Sequence, residues 1–518
     1  MGENPIGWRG GFCVEVSPVP NTLVIFGASG DLTHRKLIPA LFSLYRKKLF
    51  HEKSRIIGCA RTLMDDDAFR EKTRQTLKVF CNGKCDEKKL EEFLKKVFYV
   101  SGPYDDTSTY KRISERIEGI EEEIACPNAG RVYYLSTPVN LYGTIVECLG
   151  EAGLVTENYE GLPWRNVIIE KPFGHDLESS KKLDRELRLI LQERQIYRID
   201  HYLGKETVQN ILMMRFANRI FEPIWNNHYI ENVQITVAES IGVEHRAGYY
   251  EQAGLLRDMF QNHVLQMLAL VAMEAPPSFE ANKVRDEKVK LLSSIRPFNK
   301  DRIFEDIVRA QYAPGIIDGR EVPGYRQEEG INPESMIETY AAARLFIDNW
   351  RWQGVPFYLR SGKRMKKRLS EIVITFKRVP HSIFIPIRAQ DLAPNVLVLN
   401  VQPEEGLALT IQAKQPGPKL CMGGLTLDFK YDEVFKGEKP EAYERLLLDC
   451  MLGDQTLFIR SDNIENAWSL LTPVLDAWQN SSDEKSAGQL YKYSSGSWGP
   501  EEADDLMYRD GYSWRNPD

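Results

Sequence analysis

The chain has 518 residues, 42% of them hydrophobic and 27% charged, a balance that excludes wholesale disorder at a length that calls for roughly two to four domains. With 74 acidic against 67 basic residues the net charge is −7 and the pI about 5.8, which argues against nucleic acid or an anionic membrane surface as partner. Any anionic ligand must be held by a few placed cations, and with no signal-like N-terminus and no run of about 18 apolar residues the expected location is the cytosol (cytoplasmic, no membrane).

Residues 1–21 read as an N-terminal arm. From Thr22 to Ile199, short β-rich runs (TLVIFG, RIIGCAR, RVYYLS, NVIIE) alternate with longer amphipathic stretches, which predicts a Rossmann-like parallel sheet with helices on both faces over 22–199. In LVIFGASGDLTHRKL an apolar strand runs into a glycine turn and a helix. Gly27 permits the turn and Gly30 lets backbone approach a pyrophosphate at the helix N-terminus, with donors available from Ser29, Thr33, His34 and Arg35. The second strand ends in Arg61 with no acid before Asp65, which favours NADP over NAD, because a ribose 2′-phosphate wants a cation where a 2′-hydroxyl wants a carboxylate. Asp31 in the first turn suits the helix dipole. Cys81 and Cys85, the closest pair of eight cysteines, read as two reduced thiols on a polar loop, with a redox switch as the alternative.

Further on, NVIIEKPFGHDL places Lys171 before a proline at a strand end, where parallel sheets keep their ligands. YRIDHYLGKETVQN then gathers Asp200, His201, Tyr202 and Lys205 within six residues, a set suited to a small phosphorylated ligand. Past Asp200 two helical stretches precede many strand-like segments with period-two patterning. We expect a larger β+α domain over 200–518 with a mainly antiparallel sheet and an irregular C-terminal tail packed by its aromatics.

GASGDL, EKPFG, RIDHYLGKE, RFANRIFEPIWN and RDMFQNHVLQ, in this order, resemble the glucose-6-phosphate dehydrogenase family from about residue 22 to the end. The resemblance implies an oxidoreductase that converts glucose 6-phosphate to 6-phosphogluconolactone with NADP, the first oxidative step of the pentose phosphate pathway. It also implies a homodimer or homotetramer formed through the large sheet. Residue by residue, it assigns His263 as general base and Asp200 as the carboxylate that orients it, with Lys171 touching both sugar and coenzyme. His201, Tyr202 and Lys205 match the phosphate set, Glu239 and Asp258 the acceptors for sugar hydroxyls, and Lys363 with Arg368 the basic end of the pocket. On the coenzyme side it points to Gly27, Ser29, Gly30, Asp31, Leu32, Arg61 and Tyr142, and it calls for no metal.

The chain departs from the family in places. The first helix reads GDLTH instead of GDLAK. Where some animal members use cations to bind a second, structural NADP, this sequence has Leu369, Val373, Asn400 and Trp498, so only the catalytic NADP is expected. A broader hexose-6-phosphate or NAD-tolerant dehydrogenase and a catalytically silent NADP-binding sensor or assembly subunit stand as alternatives.

Overall fold

The computed structural model describes residues 17–127, 129–385, 387–435, 441–480 and 490–517, so most of the expected arm lies outside the described residues. Six strands, β1 (Asn21–Phe26), β2 (Arg55–Ala60), β3 (Val97–Ser101), β4 (Gly130–Leu135), β5 (Arg165–Ile169) and β6 (Ile196–Arg198), form an all-parallel sheet in the order β3-β2-β1-β4-β5-β6. All six residues of β1 are buried, as expected of a parallel strand covered on both faces. The strand order reverses between β1 and β4, which opens a crevice outside their carboxyl ends.

The helices around this sheet include α1 (Ile38–Arg46), α2 (Asp66–Phe80), α3 (Glu87–Leu94), α4 (Thr107–Glu123), α5 (Tyr142–Glu151) and α6 (Leu177–Arg188). Asp65 caps α2, its carboxylate accepting from Ala68 N at 2.8 Å. Beyond the end of α2 the structure corrects the expectation of two free thiols, for Cys81 and Cys85 are joined by a disulfide. The physical reason is local: left-handed Asn82 (φ 49) and Gly83 (φ 72) tighten the turn and bring the two Cα atoms to 5.3 Å.

The second sheet has nine strands in the order β16-β15-β14-β13-β7-β12-β11-β8-β17. They are β7 (Ile230–Ala238), β8 (Ile307–Ala313), β11 (Tyr340–Phe346), β12 (Pro356–Gly362), β13 (Leu369–Phe376), β14 (Val396–Gln402), β15 (Gly406–Lys414), β16 (Met422–Lys430) and β17 (Leu490–Ser494), while β9 (Gly315–Ile317) and β10 (Arg320–Val322) form a separate hairpin. Only the β7–β12 and β8–β17 pairs are parallel, so the sheet is mixed but mainly antiparallel. Helices α7 (Glu206–Phe216), α8 (Ala247–Leu255), α9 (Leu265–Ala272) and α10 (Ala281–Ser293) accompany it, and a π-helical segment, Leu256–Val264, packs on β7 and β12.

We place the division between the two units near residue 199, one residue past β6. Two late helices nevertheless return to the first unit: Ala442–Leu452 packs on α1 and β4, and Ser461–Asn480 on α6. The C-terminal stretch differs from the irregular tail expected. It adds the edge strand β17 and a helix, Glu501–Tyr508, beneath buried Trp514, whose indole N–H donates to Ala503 O at 2.9 Å. Among the described residues no helix is long and apolar enough to cross a membrane.

Candidate active site

The site forms where the carboxyl ends of β5 and β6 meet the second sheet. After β5 the chain passes through Glu170-Lys171-Pro172, and Glu170 is anchored by the Tyr134 hydroxyl, which donates to its carboxylate at 2.5 Å. The strand end is therefore rigid, and Lys171 reaches out from it. Its Nζ donates to Asp258 O (3.0 Å) and Oδ1 (3.2 Å), and lies 3.0 Å from His263 Nε2.

Just past β6, Asp200 accepts from Tyr202 N at 2.9 Å, and the same Oδ1 lies 2.5 Å from His263 Nδ1. A carboxylate can only accept, so Nδ1 carries the proton. Nε2 is then the lone-pair nitrogen to which Lys171 donates. Both members of the pair are 1% exposed, and Asp200 Oδ2 is buried without a hydrogen-bond partner among the described residues.

Local geometry explains how Asp258 and His263 both reach Lys171. In an α-helix, residues five apart point about 140° away from each other. Leu256–Val264 is instead π-helical, and its i→i+5 repeat brings positions 258 and 263 to one face. The segment starts after a break at Gly254 (φ 66, ψ 175), and buried Glu338 accepts from Leu256 N at 2.9 Å at its first turn. Tyr249 adds a hydroxyl donor to Asp258 at 3.2 Å.

Next to the dyad lies a cluster suited to a phosphate. The Tyr202 ring stacks on His263 (centroids 4.2 Å apart), His201 meets His263 edge-on (4.7 Å), and Lys205 Nζ lies 3.7 Å from the centre of the Tyr202 ring. Lys205 and Arg368 both donate to Gln402 Oε1, at 2.5 and 3.2 Å, while Gln402 Nε2 donates to Tyr202 Oη (3.0 Å) and Ser370 Oγ (2.8 Å). Past the ends of β7 and β12, Lys363 Nζ donates to Glu239 at 2.6 Å and lies 5.1 Å from the Tyr250 ring centre.

Charge follows from burial and neighbours. Loss of water pulls the His263 imidazole below its ordinary value against the opposing pull of Asp200, so the ring rests neutral. His201 lies well below its ordinary value, first from burial and then from His263 and Lys171. For Asp200 burial works upward, but His263, His201 and Lys171 outweigh it and hold the carboxyl well below the usual range. Asp258 behaves alike, with Lys171 and Lys363 outweighing burial. Burial, helped by Arg368, pushes Lys205 down to about 8.

At the coenzyme end, a Cβ on Gly27 (φ 84) would lie 2.1 Å from Ser136 O, so only glycine fits between the ends of β1 and β4. The turn is closed by Gly30 N donating to Gly27 O (2.9 Å) and by the buried Thr33 hydroxyl donating to the same carbonyl (3.2 Å). Thr33 thus serves the turn and offers no outward donor. His34, expected among the donors, has its Nδ1 paired with Thr76 Oγ1 (3.1 Å) and its ring edge-on to Phe69, its Nε2 is buried without a hydrogen-bond partner among the described residues, and burial, then Lys72, push it down to about 4. Asp31 pairs with Arg35 at 2.9 Å, and Leu32 is half-buried against the core. Tyr142, expected at the coenzyme, is buried and donates to Glu170 O at 2.9 Å, bracing the strand end ahead of Lys171. Exposed Arg61 has no hydrogen-bond or ion-pair partner among the described residues, though its charge acts on Tyr104, while Thr62 Oγ1 donates to Ser29 Oγ at 3.1 Å. A glycine turn beside an unpaired guanidinium, with no carboxylate bound to it, fits an adenine dinucleotide bearing a 2′-phosphate.

Sequence reasoning missed Gln402, Ser370, Tyr249, Glu338 and Lys72. Gln402 carried a usable signal, since, like Lys171, it is a polar residue before proline at a strand end. It also missed Lys288 on α10, which is 2% exposed and pushed down to about 8 by burial, with Asp200 acting in the opposite direction.

A family model described as the NAD binding domain of glucose-6-phosphate dehydrogenase matches residues 24–210, and one for its C-terminal domain matches 212–515. The glucose-6-phosphate 1-dehydrogenase of Aggregatibacter actinomycetemcomitans is 46% identical over 497 residues, covering 96% of this chain and 97% of that protein. The Bacillus subtilis (strain 168) enzyme of the same name is 42% identical over 496 residues, covering 95% and 98%. A solved glucose-6-phosphate dehydrogenase in complex with its substrate glucose 6-phosphate superposes with a TM-score of 0.88 at 37% identity, covering 97% of this chain and all of that one. Two family models that together span almost the whole sequence, and relatives matched nearly end to end, lead to one statement: the chain belongs to the glucose-6-phosphate dehydrogenase family.

Proposed function

We propose that this chain oxidises C1 of D-glucose 6-phosphate to 6-phospho-D-glucono-1,5-lactone, with NADP as hydride acceptor and His263 as general base. The observation that carries the reading is the placement of His263, held by Asp200 on Nδ1 and met by Lys171 on Nε2, beside His201 and the Tyr202 ring on which Lys205 lies. NADP, when bound, supplies the nicotinamide ring that takes the hydride. His263 Nε2 takes the proton of the C1 hydroxyl, which displaces the Lys171 ammonium from that nitrogen. Anionic Asp200 keeps the Nδ1 proton in place and stabilises the imidazolium that forms. Lys171, released, faces the sugar oxygens and the coenzyme cleft.

His201, Tyr202, Lys205 and Arg368 hold the phosphate through charge-assisted bonds, with Gln402 keeping the two cations in register. Asp258 and Glu239 accept from sugar hydroxyls, Glu239 being fixed by Lys363. Gly27, Ser29, Gly30 and Arg61 hold the coenzyme. Glucose without its phosphate forfeits the remote binding energy that positions C1.

The test is the growth of NADPH absorbance on mixing folded protein with glucose 6-phosphate and NADP. We expect turnover, far weaker turnover with glucose at equal concentration, and a loss of about 10²–10⁴-fold in kcat for His263→Asn with substrate affinity kept. A flat trace from the folded wild-type chain would sink the proposal; nothing favours the silent-subunit alternative. A homodimer or homotetramer through the nine-stranded sheet is part of the same reading, supported by Leu425 and Leu427 exposed on its edge strand β16. The cytosol remains the proposed location.

A further inference from the structure

We propose that Lys72 is a second cation for the 2′-phosphate of the coenzyme, acting beside Arg61 to set the preference for NADP over NAD. The proposal rests on NADP as the coenzyme and assigns a residue that no strand-end motif predicts. Lys72 lies in the second turn of α2, and its Nζ crosses to the glycine turn to donate to Ser29 O at 3.0 Å. Ser29 Oγ already accepts from Thr62 Oγ1, and Thr62 follows Arg61 directly. Lys72, Ser29 and Thr62 therefore meet beyond the ends of β1 and β2, with Arg61 the residue before Thr62, in the region where parallel nucleotide-binding sheets place the adenosine ribose.

Lys72 rests there on a backbone carbonyl, a neutral acceptor, and forms no ion pair with any described carboxylate. The acids around it are committed elsewhere: Asp31 to Arg35, Asp65 to the cap of α2, and Glu71 to Arg74. A dianionic phosphate offered at this point has no competing carboxylate to displace, and a half-buried ammonium binds it more strongly than a fully hydrated one. The charge state of His34 agrees with this assignment. Burial, then Lys72, push that imidazole down to about 4, so near neutral pH it brings no charge to the turn, and the cation that reaches the turn from α2 is Lys72.

Calorimetric titration of the full chain with 2′,5′-ADP, and with 5′-AMP as the probe lacking the phosphate, tests this directly. For Lys72→Met we expect 2′,5′-ADP to bind roughly ten-fold or more weakly, with 5′-AMP unchanged and most of the loss restored in Lys72→Arg. The ratio of kcat/KM for NADP over NAD should fall in parallel. Equal weakening of both probes would reduce Lys72 to a prop for the glycine turn, and no change in either would remove it from the site; both outcomes overturn the proposal. If the wild-type chain itself binds the two probes alike, the coenzyme reading at Arg61 fails first and takes this one with it.

Discussion

Two titrating side chains set how the site responds to pH. His263 must be neutral to accept a proton, and burial holds it below its ordinary value, ~6.5 for a free imidazole, so the base stays competent on the acid side of neutrality. An NMR titration of the free enzyme should place its midpoint below that figure; a midpoint above it would mean that Asp200 outweighs burial. Lys205 acts in the opposite range. Its ammonium is present below about 8 and lost above it. We expect kcat/KM for glucose 6-phosphate to fall as pH rises through that value, while kcat stays level because a bound phosphate dianion holds the proton on Lys205. Lys205→Arg, whose guanidinium does not titrate in this range, should abolish that limb, and a limb that survives there belongs to another group.

The decisive element is the π-helical stretch that carries Asp258 and His263. Its register depends on Gly254, where a Cβ would meet the buried Glu338 carboxylate at 2.6 Å and the backbone is left-handed. Gly254→Ala should cost about 2–4 kcal/mol of stability and lower kcat more than ten-fold, as the dyad loses its geometry. Gly248→Ala, earlier in the same helix with open space around it, is the control and should be neutral or slightly stabilising. Thermal melts and initial rates of the two variants separate the effects, and equal behaviour would show that Gly254 is not what sets the register.

This element also marks the limit of what could be read from sequence. Lys171, Asp200, His201 and Lys205 were legible because they cluster at two strand ends of a parallel sheet, where ligands gather. His263 was not, since a helical wheel at 3.6 residues per turn separates it from Asp258, and only the family resemblance pointed to it. Ser370 was hidden for a different reason, and Gln402 showed only as a polar residue before a proline: the order of nine strands, which brings the ends of β13 and β14 beside Tyr202, is set by long-range pairing. His34 shows the converse failure. Its position beside the glycine turn suggested a coenzyme contact, and in the fold its Nδ1 is taken by Thr76 of α2.

For the molecule as a whole, the number of nucleotides per protomer tests the departures noted in the second sheet. Leu369 and Val373 are buried apolar residues of β13, and the indole of Trp498 packs 5.2 Å from the Arg360 guanidinium, which Thr236, Arg515 O and Asn516 also bind. Residues 369, 373 and 498 themselves bring no cation, and Arg360 is already bound among the described residues. Calorimetry with NADP should give one equivalent per chain, and two would refute the expectation.

The late helices that fold back across the first sheet have a consequence for how the protein is made. Asn166 of β5 donates to Cys450 O, Leu177 N at the start of α6 donates to Thr472 Oγ1, and Trp468 donates to Phe173 O, each at 3.0 Å. The unit synthesised first, up to about residue 199, therefore leaves the ribosome before the partners of these amides and carbonyls exist. These contacts close only once residues 450–472 have been made, so we expect a gene cut at the apparent seam between the two units to give a nucleotide-binding unit less stable than it is in the full chain.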